Sequence, residues 1–129
     1  MSVVSDHMAR DLVTVAPDEL LGSAAVRMAE RKVGAALILD GIRLVGILSE
    51  RDVLRAVAAG GAESALVSAW MTANPETIES DDSLDHAAVL MIHGGFRHLP
   101  VVDGGRAVGI LSIRDLVRVA LDDRAPRGA

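Results

Sequence analysis

A serine and an aspartate stand three positions apart at two places in the chain: Ser49 and Asp52 in GILSERD (46–52), and Ser112 and Asp115 in GILSIRD (109–115). A serine hydroxyl can donate a hydrogen bond to a phosphate or sugar oxygen, and a carboxylate has two oxygens that can accept from adjacent hydroxyl groups. These residue types at this spacing are therefore suited to a ligand that carries a ribose and a phosphate.

The same spacing also resembles a capping box, in which a serine and a carboxylate satisfy free amides at the start of a helix. A helix N-terminus in turn favours phosphate, so capping and binding use one geometry. Gly46 and Gly109 allow a ligand to approach the backbone, although a β-bulge explains them equally well. Arg51 and Arg114 add a guanidinium fork that matches phosphate. These residues are consistent with two interpretations, helix capping alone and ligand binding.

Catalytic and metal chemistry have little support in the sequence. Ser49 and Ser112 have no histidine close by in sequence, and the chain has neither a P-loop nor the glycine pattern of a dinucleotide-binding fold. Cysteine is absent, and the histidines at 7, 86 and 93 lack the spacing of metal ligands. We therefore expect no catalytic residue, no metal site and no enzymatic activity.

The two motifs belong to a repeat that spans nearly the whole chain. Residues 4–57 align with residues 67–120 without a gap and are identical at 21 positions. The repeat predicts a first copy with its linker at 1–62, a second copy at 63–122 and a flexible tail at 123–129. A unit of this size buries too little surface to be comfortable alone, so the copies should pack together about a pseudo-twofold axis.

Each copy predicts the order strand, helix, strand, strand, helix, and hence an α/β (α+β) protein made of two βαββα repeats. Apolar residues at helical spacing predict the first helix of each copy. Asp40-Gly41 and Asp103-Gly104 predict tight turns between the second and third strands. The last helices should begin near Ser49 and Ser112 and should turn apolar residues inward: Val53, Leu54, Val57, Leu116, Val117 and Ala120.

The composition of the chain limits the kinds of ligand and partner that we expect. Half of the 129 residues are apolar but only 2% are aromatic, so a pocket must be lined by aliphatic side chains and backbone. The net charge of −5 gives no reason to expect nucleic acid. The N-terminus lacks the pattern of a signal peptide, and no apolar run approaches the roughly 20 residues that span a bilayer. We expect a cytoplasmic protein without membrane insertion.

The two copies together resemble a tandem pair of cystathionine-β-synthase (CBS) domains, often called a Bateman module. The matching features are VGILSERD and VGILSIRD, the two helical apolar stripes and RHLPVVDGGR at 97–106, and they cover roughly residues 4–122. The resemblance implies a regulatory module that binds an adenosine-containing ligand in clefts between the copies. AMP, ADP and ATP are the first expectations, and S-adenosylmethionine and NAD are possible.

The resemblance also implies which residues form each cleft, because each cleft of the family borrows the first two strands of the opposite copy. The residues implied for the first cleft, named here the Asp52 cleft, are Ser49, Arg51, Asp52, Thr77, Arg97, His98, Leu99 and Pro100. Those implied for the second, the Asp115 cleft, are Ser112, Arg114, Asp115, Thr14, Gly34, Ala35 and Ala36. Since Arg97 and His98 are basic and Gly34 and Ala35 are not, we expect phosphate in the Asp52 cleft.

The resemblance further implies a homodimer and an effector protein that the sequence does not name. The alternative interpretation is a structural or dimerisation module that has kept the fold and lost its ligand. Both copies retain the serine and the aspartate, which favours binding.

Overall fold

A computed structural model describes residues 2–124 of the chain. The chain divides into two compact units. One unit is Asp11–Glu76 and contains the first motif, so we name it the Ser49 unit. The other combines the residues up to Arg10 with those from Thr77 onward and contains the second motif, so we name it the Ser112 unit.

The Ser49 unit contains a four-stranded sheet in the order β1-β2-β3-β4, in which β1 is parallel to β2 and the other pairs are antiparallel. Three helices accompany it. Its elements in chain order are β1 (Thr14–Val15), α1 (Leu21–Arg31), β2 (Ala35–Asp40), β3 (Arg43–Ser49), α2 (Glu50–Ala59), α3 (Val67–Trp70) and β4 (Thr72–Ala73).

The Ser112 unit repeats this arrangement with a three-stranded sheet in the order β5-β6-β7. It begins with a 3-10 turn at Val4–Asp6, and Ala9 forms an antiparallel bridge with Ile110 of the last strand. Its other elements are β5 (Ile78–Glu79), α4 (Leu84–Gly94), β6 (His98–Asp103), β7 (Arg106–Ser112) and α5 (Ile113–Arg124). The mixed α+β class predicted from the sequence is confirmed.

The first helix of each copy buries the stripe that the sequence predicts. Leu21, Ala24 and Met28 of α1 are buried in the core of the Ser49 unit, and Leu84, Ala87 and Met91 of α4 in that of the Ser112 unit. Residues three and four apart lie on one face of a helix, and burial of that face stabilises helices of this length. The predicted tight turns are also present, with positive φ at Gly41 and Gly104.

The last helices differ from the prediction. Leu54 and Val57 of α2 are 68% and 59% exposed, and Val117 of α5 is 52% exposed. The residues that α2 buries are Asp52 and Ala56. The prediction that Leu54, Val57, Val117 and Ala120 turn inward is wrong. Val53 and Leu116 do pack against the cores, because the inward face of α2 runs through Asp52, Val53 and Ala56 and so leaves Leu54 and Val57 outside.

The N-terminal segment of each repeat packs in the other copy's unit, which the sequence alignment of the two copies did not reveal. Residues 2–10 belong to the Ser112 unit, and α3 and β4 belong to the Ser49 unit. The compact units therefore do not follow the repeat boundaries at 62 and 63, which describe the sequence repeat alone. Of the tail predicted at 123–129, residues 125–129 lie outside the described residues, and Arg124 is the last residue of α5.

Candidate functional site

Ser49 and Asp52 form a complete capping box at the start of α2. The backbone N–H of Ser49 donates to Asp52 Oδ2 at 2.9 Å, and the backbone N–H of Asp52 donates to Ser49 Oγ at 3.2 Å. These bonds satisfy amides that the first turn of a helix leaves free. The predicted capping role is confirmed, and the hydroxyl proton of Ser49 has no acceptor among the described residues.

Ser112 and Asp115 repeat this box with one addition. The backbone N–H of Ser112 donates to Asp115 Oδ2 at 2.8 Å, and the Asp115 N–H donates to Ser112 Oγ at 3.2 Å. Here the Ser112 hydroxyl also donates to Asp115 Oδ2, at 2.9 Å. The second serine therefore uses its proton inside the box, whereas the first can offer it to a ligand.

The glycines before the serines have a packing role that the sequence did not indicate. A Cβ at Gly46 would lie 3.1 Å from the carbonyl oxygen of Thr72 and closer still to Met71 Sδ. A Cβ at Gly109 would meet Ala9 and Met8 in the same way. A bulge also precedes each glycine, since Leu39 pairs with Leu44 while Ile38 pairs with Gly46. The glycines are therefore explained by close packing and are not evidence for a ligand.

The two carboxylates have an arginine partner each. Arg55 Nη1 lies 3.6 Å from Asp52 Oδ1, and Arg118 Nη1 lies 3.6 Å from Asp115 Oδ1. The Asp52 side chain is 5% exposed and the Asp115 side chain 16%. Both arginines lie one turn further along their helices, where a residue three positions on shares the same face. In each box one carboxylate oxygen is held by backbone and the other faces a cation.

The strand beside each serine brings a different set of side chains to the box. Ala35 pairs with Ser49, and the Glu50 N–H donates to the carbonyl of Gly34 at 3.0 Å. His98 pairs with Ser112, and the Ile113 N–H donates to the carbonyl of Arg97 at 2.8 Å. Each unit therefore brings its own strand to its own serine. The predicted clefts combine residues of both units, and that pairing stays a prediction.

The sequence did not reveal that His98 and Ser112 are neighbours, because they lie fourteen positions apart in the chain. Directly paired residues of antiparallel strands project to the same face, so a histidine, a serine and Asp115 share one end of the Ser112 unit. Such a set could suggest a nucleophile and a base. However, the Ser112 hydroxyl donates to Asp115. This hydrogen bond is the geometry of a cap, since a nucleophilic serine would donate to the imidazole.

The family comparison agrees with the repeat. The CBS domain model matches the chain twice, at residues 4–59 and 67–122. The chain belongs to the CBS domain family. Both serine–aspartate boxes fall within the matched CBS domains, near the C-terminal end of each match.

Curated relatives of this CBS pair differ in length. An uncharacterized 17.7 kDa protein of Acidianus ambivalens is 35% identical over 121 residues, which cover 92% of this chain and 73% of that protein. The CBS domain-containing protein CBSCBSPB2 of Arabidopsis thaliana is 42% identical over 93 residues, which cover 70% of this chain but only 17% of that protein.

Solved CBS structures share the fold. A CBS-domain protein of Agrobacterium tumefaciens has a TM-score of 0.85 at 37% identity, covering 92% of this chain and 99% of that one. One from Pyrobaculum aerophilum, complexed with AMP, has a TM-score of 0.86 at 31% identity, covering 95% and 97%. The CBS pair of the protein MJ0100, in complex with 5′-methylthioadenosine and S-adenosyl-L-methionine, has a TM-score of 0.89 at 26% identity, covering 96% and 99%.

The other residues predicted for the clefts divide by exposure. The three arginines (Arg51, Arg97 and Arg114) are exposed, and their side chains make no hydrogen bond or ion pair with the described residues. Thr14, the first residue of β1, and Thr77, the residue before β5, are both half-buried. Ala36, Leu99 and Pro100 are buried, so what they can offer a ligand is strand backbone and an apolar surface.

One further titratable cluster lies at the start of α4. The pKa of the Asp82 carboxyl is lowered, first because it accepts a hydrogen bond from the His86 imidazole and next because the Ser83 N–H donates to it. No group of three or more His, Asp or Glu side chains among residues 2–124 could hold a metal ion. Within the same residues no helix is long and apolar enough to cross a membrane.

Proposed function

We propose that this CBS pair is a regulatory module that binds an adenosine-containing ligand, with AMP, ADP or ATP as the first candidates, in the clefts between its repeats. Binding at the Asp52 and Asp115 clefts changes the protein's affinity for an effector protein. The module itself catalyses no reaction, and we expect it to act in the cytoplasm.

The observation that carries the proposal is the pair of boxes at the N-termini of α2 and α5. In each box Oδ1 of the aspartate accepts no hydrogen bond from the described residues and stands next to an arginine. An adenosine ligand brings two adjacent ribose hydroxyls, which need an acceptor of this kind, and phosphates, which favour a helix N-terminus. The AMP bound to the Pyrobaculum relative and the methylthioadenosine and S-adenosylmethionine bound to the MJ0100 pair support the same ligand class.

Calorimetric titration with AMP, ADP, ATP, S-adenosylmethionine and NADH tests the ligand directly. We expect Asp52→Ala to weaken binding by about 1.5–3 kcal/mol, the usual effect of removing a hydrogen bond to a charged group. Asp81, exposed on the loop before α4, provides the matched control as Asp81→Ala. Unchanged affinity in a folded Asp52→Ala protein would show that Asp52 is only a cap residue.

Thermal melting distinguishes this proposal from the alternative of a structural module without a ligand. A ligand at 100 times its Kd stabilises the folded state by about 2.7 kcal/mol. If none of the five compounds raises the melting temperature, the ligand-free interpretation is correct and the ligand proposal fails.

We also propose that the protein is a homodimer whose interface includes the apolar residues of the last helices. Leu54 and Val57 of α2 and Val117 of α5 are all more than half exposed, and such large apolar side chains favour association. Val53, Leu116 and Ala120 complete the predicted set. Light scattering should report a dimer for the wild type and a shift toward monomer for Leu54→Lys. A wild-type monomer at high micromolar concentration would contradict the proposal.

A further inference from the structure

The two carboxylate oxygens of Asp52 make different contacts. Oδ2 accepts from the backbone N–H of Ser49 at 2.9 Å. Oδ1 stands 3.6 Å from Arg55 Nη1, which is beyond the range of a hydrogen bond but within that of an ion pair. Arg55 therefore compensates the cost of burying the carboxylate charge without occupying the lone pairs of Oδ1. That oxygen remains able to accept from a ligand hydroxyl.

Arg55 is itself held in place by an aromatic ring. Its guanidinium carbon lies 5.9 Å from the ring centroid of Trp70, which is the distance of a cation–π contact. Trp70 ends the short helix α3 and packs against the core of the Ser49 unit. Since the Arg55 side chain is 59% exposed, it would otherwise sample many rotamers. The cation–π contact favours the rotamers that keep the guanidinium beside Asp52.

The Ser112 unit lacks this support. Arg118 stands at the same distance from Asp115 as Arg55 does from Asp52. The position that corresponds to Trp70 in the repeat is His7, and no aromatic ring lies over Arg118 within residues 2–124. The contact with Trp70 is thus a property of one copy and is not required by the cap that both copies share.

We propose that Arg55 is a positioning residue that fixes Asp52 Oδ1 as the acceptor for the ribose hydroxyls of the ligand, and that Trp70 holds Arg55 for this purpose. The inference rests on the proposed function and adds the residues that orient its sugar acceptor. Its consequence is that Arg55 and Trp70 increase affinity for ligands with a ribose diol and leave ligands without one unaffected.

The test compares AMP with 2′,3′-dideoxy-AMP, in which both ribose hydroxyls are missing, by calorimetry on the full chain. We expect Arg55→Gln to weaken AMP binding about fivefold, and Trp70→Leu about threefold, in keeping with the strength of a partly exposed cation–π contact. Binding of the dideoxy compound should change by less than about twofold in either variant, which corresponds to under about 0.4 kcal/mol. Arg55→Lys should restore part of the AMP affinity, since it keeps the charge.

Arg118→Gln is the matched control, because Arg118 makes the same ion pair without the ring. Arg118→Gln should leave the affinity for AMP at the Asp52 cleft unchanged. The emission of Trp70, the sole tryptophan, checks independently that Arg55→Gln removes the contact and that the protein is folded.

Three results overturn the inference. Equal losses for AMP and for the dideoxy compound would show a general structural effect of Arg55. Tighter AMP binding by Arg55→Gln would show that Arg55 competes with the ligand for Oδ1. A wild-type protein that binds none of the five compounds of the calorimetric titration contradicts the proposed function itself, whereas the first two results contradict only the positioning role.

Discussion

The motifs GILSERD and GILSIRD begin their helices with the same two backbone hydrogen bonds, yet their aspartates lie in different surroundings. Asp52 is nearly enclosed and its arginine partner lies over Trp70. Asp115 is more exposed and accepts from the Ser112 hydroxyl. The residues within each motif are sufficient for the cap. What surrounds the cap is supplied by other segments, which differ between the copies.

The strands beside the two serines extend this difference. Ser49 has Gly34 and Ala35 beside it, and Ser112 has Arg97 and His98. The two copies therefore share the hydrogen bonds of the cap and differ in the charge of the strand beside it.

The prediction with the largest expected effect tests the close packing around the motif glycine that both copies share. Gly46→Val should lower the free energy of unfolding by about 3 kcal/mol, because the added side chain overlaps Met71 and the carbonyl of Thr72. Gly109→Val should cost about as much against Met8 and Ala9. Gly61→Val is the control, since a Cβ there meets nothing within 4 Å. Chemical denaturation measures all three, and a mild effect at either motif glycine would contradict the shared packing.

The next effect tests which cleft the basic residues serve. Arg97→Ala should weaken AMP binding by about 2 kcal/mol and adenosine binding much less, since a phosphate bonded to a guanidinium is a charge-assisted contact. If Arg97 belongs to the Asp52 cleft, its effect should be non-additive with that of Asp52→Asn and additive with that of Asp115→Asn. The reverse pattern would assign Arg97 to the Asp115 cleft. Arg106 is an exposed arginine of the same sheet, and Arg106→Ala should leave the affinity for AMP and for adenosine unchanged.

A smaller effect separates the two serines. Ser49→Ala should cost about 1 kcal/mol of stability through loss of the cap. Ser112→Ala should cost somewhat more, because the Ser112 hydroxyl also donates to Asp115. Replacement of either serine by threonine keeps the hydroxyl, so the threonine variants should retain most of the stability that the alanine variants lose. Equal costs for the two alanine variants in denaturation experiments would argue against the extra hydrogen bond.

The smallest effect concerns Asp82, whose equivalent in the first copy is Glu19. Asp82→Asn should lower stability by a few tenths of a kcal/mol at neutral pH, as is usual for a solvent-exposed pair of polar side chains. The pKa of Asp82 is lowered in the folded protein, so its contribution is present above the ordinary carboxyl pKa of about 3.9 and is lost as the pH falls through the folded value. Wild type and variant should converge in melts below about pH 4.

Much of the fold was predictable from local patterns. The helical stripes ending in Met28 and Met91, the turns at Gly41 and Gly104, and the caps at Ser49 and Ser112 are each encoded within a few residues. Their physical causes are local too, because side-chain spacing, φ and capping act along one segment. The exposure of Leu54 and Val57 was not predictable in this way, since both faces of α2 carry apolar residues.

The candidate site was predictable in its residue types and less so in its environment. Ser49, Asp52, Ser112 and Asp115 were identified from spacing alone. The contact of Arg55 with Trp70 joins residues fifteen positions apart through a short helix that the repeat did not predict. Likewise, His98 reaches Ser112 only through the register of two strands.

The sequence by itself therefore determined the repeat, the order of elements and the two capping boxes, because each depends on contacts within a short segment. Tertiary structure alone decided what surrounds Gly46 and Gly109: Met71 and Met8 lie in the N-terminal segments of the repeats, and each packs over the motif glycine of the other copy. It also decided which aspartate is buried and which arginine is held by a ring. These properties depend on residues that approach one another only when separate segments of the chain fold together, and no local pattern records that approach.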